Sequence, residues 1–161
     1  MSSPLITPQP LGSAVPFVRQ TRLIRASREA VYAAWTEPVI LMKWWGPKGN
    51  TCKAAELDVR EGGALRIVDE FPEGAKRPEG IPREVTGTGV YTEVVPGERL
   101  QFTMRASWSP ENESLVTVTF RTVEGGTEIV VVQERVQAEW AWAYEAGWAS
   151  TLDKLDALYP G

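Results

Sequence analysis

Three glycine-bearing turns, Glu61-Gly62-Gly63, Pro96-Gly97 and Glu124-Gly125, each stand between two strand-like runs. Runs joined in pairs by so few residues read as antiparallel hairpins. Side chains alternate along a strand, so each turn also dictates which residues share a face. The first hairpin is predicted to join 53–60 to 64–70. It pairs Val59 with Leu65, Leu57 with Ile67 and Ala55 with Asp69, and it sets Asp58 near Arg66 on the other face. The second joins 85–95 to 98–108, with Tyr91 opposite Phe102, Gly89 opposite Met104 and Gly87 opposite Ala106; Trp108 continues that face. The third joins 115–123 to 126–135, with Phe120 opposite Ile129, Val118 opposite Val131 and Val116 opposite Gln133, while Arg121 faces Glu128 outside. Asp69 and Gln133 are the polar exceptions on an otherwise apolar inner face.

Antiparallel strands with one apolar face need a cover. From about Ala138 to Tyr159 the chain has no proline. Trp140, Tyr144, Gly147, Trp148, Thr151, Leu152, Leu155 and Leu158 recur there in steps of three and four, one stripe of an amphipathic helix. Such a helix is near 30 Å long, at 1.5 Å per residue, and no other segment is long enough to cover the sheet. Gly87 and Gly89 permit a strand to bend around it. Gly147 in mid-helix costs roughly 1 kcal/mol relative to alanine, so it needs a packing reason or a space to serve. Ahead of the hairpins, 19–26 reads as a strand. Ser27 caps a helix whose inner face is Val31, Ala34 and Trp35, and Thr36 caps a second short helix that ends at Gly46-Pro47. The expected fold class is α+β: a curved antiparallel sheet of about seven strands around a long C-terminal helix, often with an internal pocket between them.

Residues 1–18 carry Pro4, Pro8, Pro10 and Pro16 and read as a flexible extended arm, or as one that packs on a partner subunit, leaving 19–161 as one domain. The arm lacks the basic start and apolar run of a signal peptide. No stretch reaches the length for a membrane span. A net charge of −4 gives no reason to expect nucleic acid. With no histidine, an imidazole metal site or a Ser-His or Cys-His pair is excluded. No cluster of metal ligands and no phosphate loop is evident, so no cofactor is expected. The single cysteine, Cys52, forbids an internal disulfide and fits a cytoplasmic location. The stretch 72–82, PEGAKRPEGIP, is a long loop, either solvated or a flap over a cavity mouth.

Four stretches in this order carry a family resemblance: KWWGPKGNT (43–51), LDVREGGALRI (57–67), GTGVYTEVVPGERLQFT (87–103) and YEAGWASTLDKLDAL (144–158). Over about residues 19–159 the chain resembles the START-like helix-grip superfamily (SRPBCC). Within it, the chain resembles the branch named for the activator of Hsp90 ATPase homologue 1. The resemblance implies the helix-grip fold and a cavity. It implies no single activity, since members range from lipid carriers to cyclases to chaperone cofactors. Asp69 stands where relatives usually carry an apolar residue, and the 72–83 loop is longer than typical.

The candidate ligand-binding residues are the inward-facing Leu65, Ile67, Asp69, Tyr91, Phe102, Met104, Trp108, Val118, Phe120, Val131 and Gln133 of the sheet, Tyr144 and Trp148 of the helix, and Trp45 before Gly46-Pro47. Each aromatic can equally be ordinary core. Asp69 is also the candidate catalytic group, because a carboxylate on an apolar face acquires a raised pKa or a partner; alternatively it reaches water at the end of its strand. Gln133 either orients a ligand or bonds to Tyr144 or a buried water. Three functions follow. In the first, the cavity binds a hydrophobic or amphipathic small molecule. In the second, an enzyme of cyclase, hydrolase or isomerase type uses Asp69 or a tyrosine. The third is a protein-interaction module in stress response, with a chaperone as partner. A homodimer is compatible with the chain, but no residue marks its interface.

Overall fold

The structure, a computed structural model, describes residues 17–161. Seven strands form one antiparallel sheet in the order β1-β7-β6-β5-β4-β3-β2. They are β1 (Phe17–Ile24), β2 (Thr51–Leu57), β3 (Ala64–Glu70), β4 (Glu84–Val95), β5 (Arg99–Ala106), β6 (Ser109–Val123) and β7 (Gly126–Glu134). Two short helices, α1 (Arg28–Thr36) and α2 (Pro38–Leu41), follow β1, and α3 (Ala141–Ala157) follows one turn of 3-10 helix at Ala138–Trp140. This is the helix-grip arrangement the turns and the terminal stripe predict. Phe17 and Val18, assigned to the arm, belong to β1; the rest of that arm lies outside the described residues. Among the described residues no helix is long and apolar enough to cross a membrane.

Local chemistry explains each element. Ser27 accepts a hydrogen bond from the Ala30 amide at 3.1 Å and so caps α1. Val31, Ala34 and Trp35 are its buried face. Thr36 does not cap α2: its hydroxyl donates back to the Tyr32 carbonyl, and the N-cap position falls to Glu37, before Pro38. The third hairpin has the expected register, Val116 with Gln133, Val118 with Val131 and Phe120 with Ile129, and Arg121 meets Glu128 at 2.9 Å outside. The second keeps Gly87 with Ala106 and Tyr91 with Phe102, with a bulge between Tyr91 and Glu93.

The first hairpin differs by two residues, and by three beyond a bulge between Cys52 and Ala54. Leu57 pairs with Leu65, Ala55 with Ile67 and Cys52 with Asp69. The turn is wider than three residues because β2 stops at Leu57, and the Gly62 amide and Gly63 carbonyl bond instead to Tyr91 of β4. A slip of two preserves the faces, so Leu65 and Ile67 still point into the core. The expected Asp58–Arg66 pair is replaced by Arg66–Glu56 (3.8 Å) and Arg60–Asp58 (2.9 Å).

The helices are not spread evenly over the sheet. α1 packs on β6 and β7, α2 on β2, and α3 chiefly along β1 at the sheet's edge. Arg22 of β1 fixes α3 there, through Asp153 at 2.7 Å and the Ala149 carbonyl at 3.3 Å. The inner faces of β3, β4 and β5 are therefore spanned by α3 rather than packed against it.

Candidate functional site

That gap is a cavity of about 400 Å³. Its sheet wall is Ile67 and Asp69 of β3, Val85 and Gly87 of β4, Met104 and Ala106 of β5, Val116 of β6 and Gln133 of β7. Tyr144, Gly147, Trp148 and Thr151 of α3 form the opposite wall. The Trp45-Gly46-Pro47 corner closes one side, and Phe71, Pro78 and Ile81 reach in from the loop between β3 and β4. Trp108, Trp140, Trp142, Ala143 and Ala146 complete the lining; Trp142 is 64% exposed. Two glycines have opposite relations to this space. A side-chain carbon at Gly87 would come 2.6 Å from the Met104 sulfur, so glycine there lets Met104 lie across the strand. One at Gly147 would meet nothing within 4 Å. Gly147 thus fills no packing need and faces open space.

Asp69 is buried at 8% exposure. Its Oδ2 accepts from the Asn50 amide at 2.8 Å, and its Oδ1 has no partner. Gly46, with φ of +96°, lies directly over the carboxylate, where any side chain would collide with it. Burial pushes the carboxyl up to about 6, only partly offset by the Asn50 bond, the Lys154 charge and the Glu70 backbone amide. Lys154 forms no ion pair with it. Its ammonium donates to the carbonyls of Gly46 (3.0 Å), Asn50 (3.3 Å), Pro47 (3.4 Å) and Trp45 (3.5 Å), holding the corner in place. Burial lowers the Lys154 pKa, opposed by Asp69 and Cys52. Burial also lifts the Cys52 thiol to about 11, which leaves little thiolate.

Gln133 bonds neither to Tyr144 nor to an open cavity. Its oxygen accepts from the Trp148 indole at 2.8 Å and its nitrogen donates to Ser114 at 2.8 Å; Ser114 in turn donates to the Met104 carbonyl. The chain fixes the Trp148 ring, which stands edge-on to Trp45 at 5.6 Å and stacks on Trp35 at 6.0 Å. Trp44, adjacent in sequence, is fully buried and donates to the Ala34 carbonyl. Trp45 takes the cavity side.

Eight of the candidate residues lie at the cavity wall: Trp45, Ile67, Asp69, Met104, Trp108, Gln133, Tyr144 and Trp148. Leu65, Tyr91, Phe102, Val118, Phe120 and Val131 do not; they are buried in the packed core. They share the inward face, but face parity does not distinguish positions along a strand. At their end Tyr32 and Trp35 of α1 pack on Phe120, at 5.4 and 6.4 Å, and Tyr91 and Phe102 pack on each other at 5.9 Å. Residues the sequence reading missed at the wall include Phe71, Ile81, Trp140, Trp142 and Thr151. Thr151 and Trp140 already stood in the terminal stripe, whereas Trp142 lies off it and carried no signal. Lys154 carried one: it sits seven residues after Gly147, on the same side of the helix. Among the described residues no group of three His, Cys, Asp or Glu side chains gathers to hold a metal.

The family model described as "Activator of Hsp90 ATPase homolog 1-like protein" matches residues 25–159. No curated protein matches the chain. Among solved structures, a protein from Chromobacterium violaceum is similar, with 29% identity, a TM-score of 0.76 and coverage of 91% of this chain and 99% of that one. A protein from Rhodobacter sphaeroides shares 27% identity with a TM-score of 0.73, over 92% and 95% of the two chains. The AHSA1 protein of Silicibacter pomeroyi shares 25% identity with a TM-score of 0.74, over 88% and 96%.

Proposed function

The chain belongs to the Activator of Hsp90 ATPase homolog 1-like family, and from that premise we propose that it binds a hydrophobic or amphipathic small molecule in the cavity beneath α3. Membership supports a ligand-binding or cofactor-like module in general. The observation that favours a ligand is the cavity of about 400 Å³, walled by apolar and aromatic side chains with few polar atoms. That volume is in the range of small-molecule sites, about 300–1,000 Å³, and so is the pattern of its walls. A packed core would not keep such a space, because atoms that border a void forgo the attraction of close neighbours and the fold is weaker for it. The polar atoms of Gln133 are engaged within the protein, so Asp69 is the polar group best placed to orient a guest.

The test is titration with the neutral dye Nile red, read by energy transfer from tryptophan. Saturable binding is expected in the native protein, and Gly147→Leu, which fills the open space beside the helix, should weaken it at least about tenfold. Equal binding by a folded Gly147→Leu protein would place the dye elsewhere and defeat the reading.

Asp69 favours a second reading in the same cavity, proton transfer, because a carboxyl at about 6 exchanges protons near neutrality. Deuterium exchange next to the carbonyl of a bound aryl ketone, followed by NMR and lost in Asp69→Asn, would support it. Docking to a chaperone ranks below both. Leu23, Val39 and Val90 are exposed, but they lie on three separate elements, β1, α2 and β4.

A further inference from the structure

We propose that the cavity selects an organic cation: an aromatic or aliphatic body carrying a quaternary or tertiary ammonium, held by the tryptophan walls and the Asp69 carboxylate. The inference rests on the small-molecule reading and names the class of guest. Three observations carry it. First, five of the chain's seven tryptophans line the cavity: Trp45, Trp108, Trp140, Trp142 and Trp148. Trp108 lies 5.2 Å from Trp140 and 6.4 Å from Tyr144, which makes a three-ring cluster on one side. Indole faces are negative and attract cations, most strongly where water is excluded. Second, among the described residues Asp69 is the one charged side chain in the lining, and no lysine or arginine shares the wall with it. Third, that charge is incompletely answered. Asn50 is its only side-chain hydrogen-bond partner among the described residues and Oδ1 has none, while the ammonium of Lys154 is turned to four backbone carbonyls. A guest anion would meet aromatic rings and a carboxylate, and no cation at the wall. A guest cation would meet complementary charge among apolar walls, where such interactions are stronger than in water.

The experiment compares three probes that share one naphthylmethyl body and differ in the head: trimethylammonium, hydroxyl and sulfonate. Affinities are measured by calorimetry on the full chain at about pH 7.5 and about pH 4.5, and on Asp69→Asn. The ammonium should bind at least about tenfold more tightly than the alcohol, and the sulfonate more weakly than the alcohol. In Asp69→Asn the ammonium should lose most of its advantage over the alcohol. Acidification of the native protein should do the same, since it protonates Asp69. The groups that face Asp69 are the Asn50 amide, the Lys154 ammonium from α3 and the Cys52 thiol from β2; the amide does not titrate and burial keeps the thiol neutral over this interval. The acid arm therefore gives a second readout of the carboxylate if the variant fails to fold. Equal affinity for all three heads would overturn the cation assignment and leave the cavity reading standing. An ammonium preference untouched by both acid and Asp69→Asn would overturn the role of the carboxylate. Failure of every probe to bind would bring down the assignment together with the reading it rests on.

Discussion

The two halves of α3 face different interiors. In the second half Leu152 and Leu155 are fully buried, in the same core as Phe120 and Ile129 of the sheet and α1. In the first half Gly147 faces open space, Trp142 is largely exposed, and Tyr144 and Trp148 stand across a cavity from β4 and β5. One helix thus supplies stability at one end and room at the other. The difference follows from what opposes each half: α1 fills the space over β6 and β7, and nothing equivalent among the described residues fills the space over β3, β4 and β5.

The contrast should appear first in truncation. Leu155→Ala is expected to cost about 3–4 kcal/mol in urea unfolding, because it leaves a void among atoms that cannot collapse. Met104→Ala, at the open end, should cost about 1 kcal/mol, since its side chain already borders empty space. Equal costs would show that the cavity is closed in solution. Next in size is the electrostatic difference. Asp69 has its pKa raised from the ordinary 3.8 to about 6 by burial. The folded state therefore holds its proton more tightly than the unfolded chain. Stability should rise as the pH falls from above about 6 to below about 4, and the ionised carboxylate should cost about 2–3 kcal/mol above that window. Asp69→Asn should stabilise the protein by about 2 kcal/mol near pH 7.5 and flatten that part of the pH profile. A profile that still rises on acidification would assign the effect to another group.

Gly147→Ala should add about 1 kcal/mol through helix propensity alone, because a methyl group there meets no atom. A loss of stability would mean that the space is smaller than the geometry implies. The smallest effect belongs to the outside of the closed end. Removing the exposed Arg121–Glu128 pair should change stability by no more than about 0.5 kcal/mol. That end is held by its interior.

Alternation made the faces of the strands legible, and the two-residue slip in β2–β3 kept them as far as Ala55; beyond it a bulge turns Cys52 rather than Lys53 inward. The stripe of the terminal helix was legible in the same way. Position along a strand was not. Val118 and Val116 share a face, yet Val118 is sealed in the core while Val116 borders the cavity. That distinction depends on where α1 and α3 come to rest, which is set by contacts such as Arg22–Asp153 between residues 131 apart in sequence. Asp69 stood out because it broke an apolar pattern. Its partner Asn50 did not, because a polar residue in a corner is ordinary until the fold brings it beneath a carboxylate; Lys154 shared the Gly147 side of the helix, but its clamp on the corner appears only in the fold.

Cys52 sits opposite Asp69 on β2, the edge strand of the sheet, and is buried at 6% exposure. As the chain's single thiol, it works as a clock. A maleimide can reach it only in molecules whose outer strand has peeled or whose tryptophan corner has lifted, so its modification rate counts those excursions. A guest that locks the corner should slow that clock, which would report occupancy without a label on the guest and without knowledge of its identity.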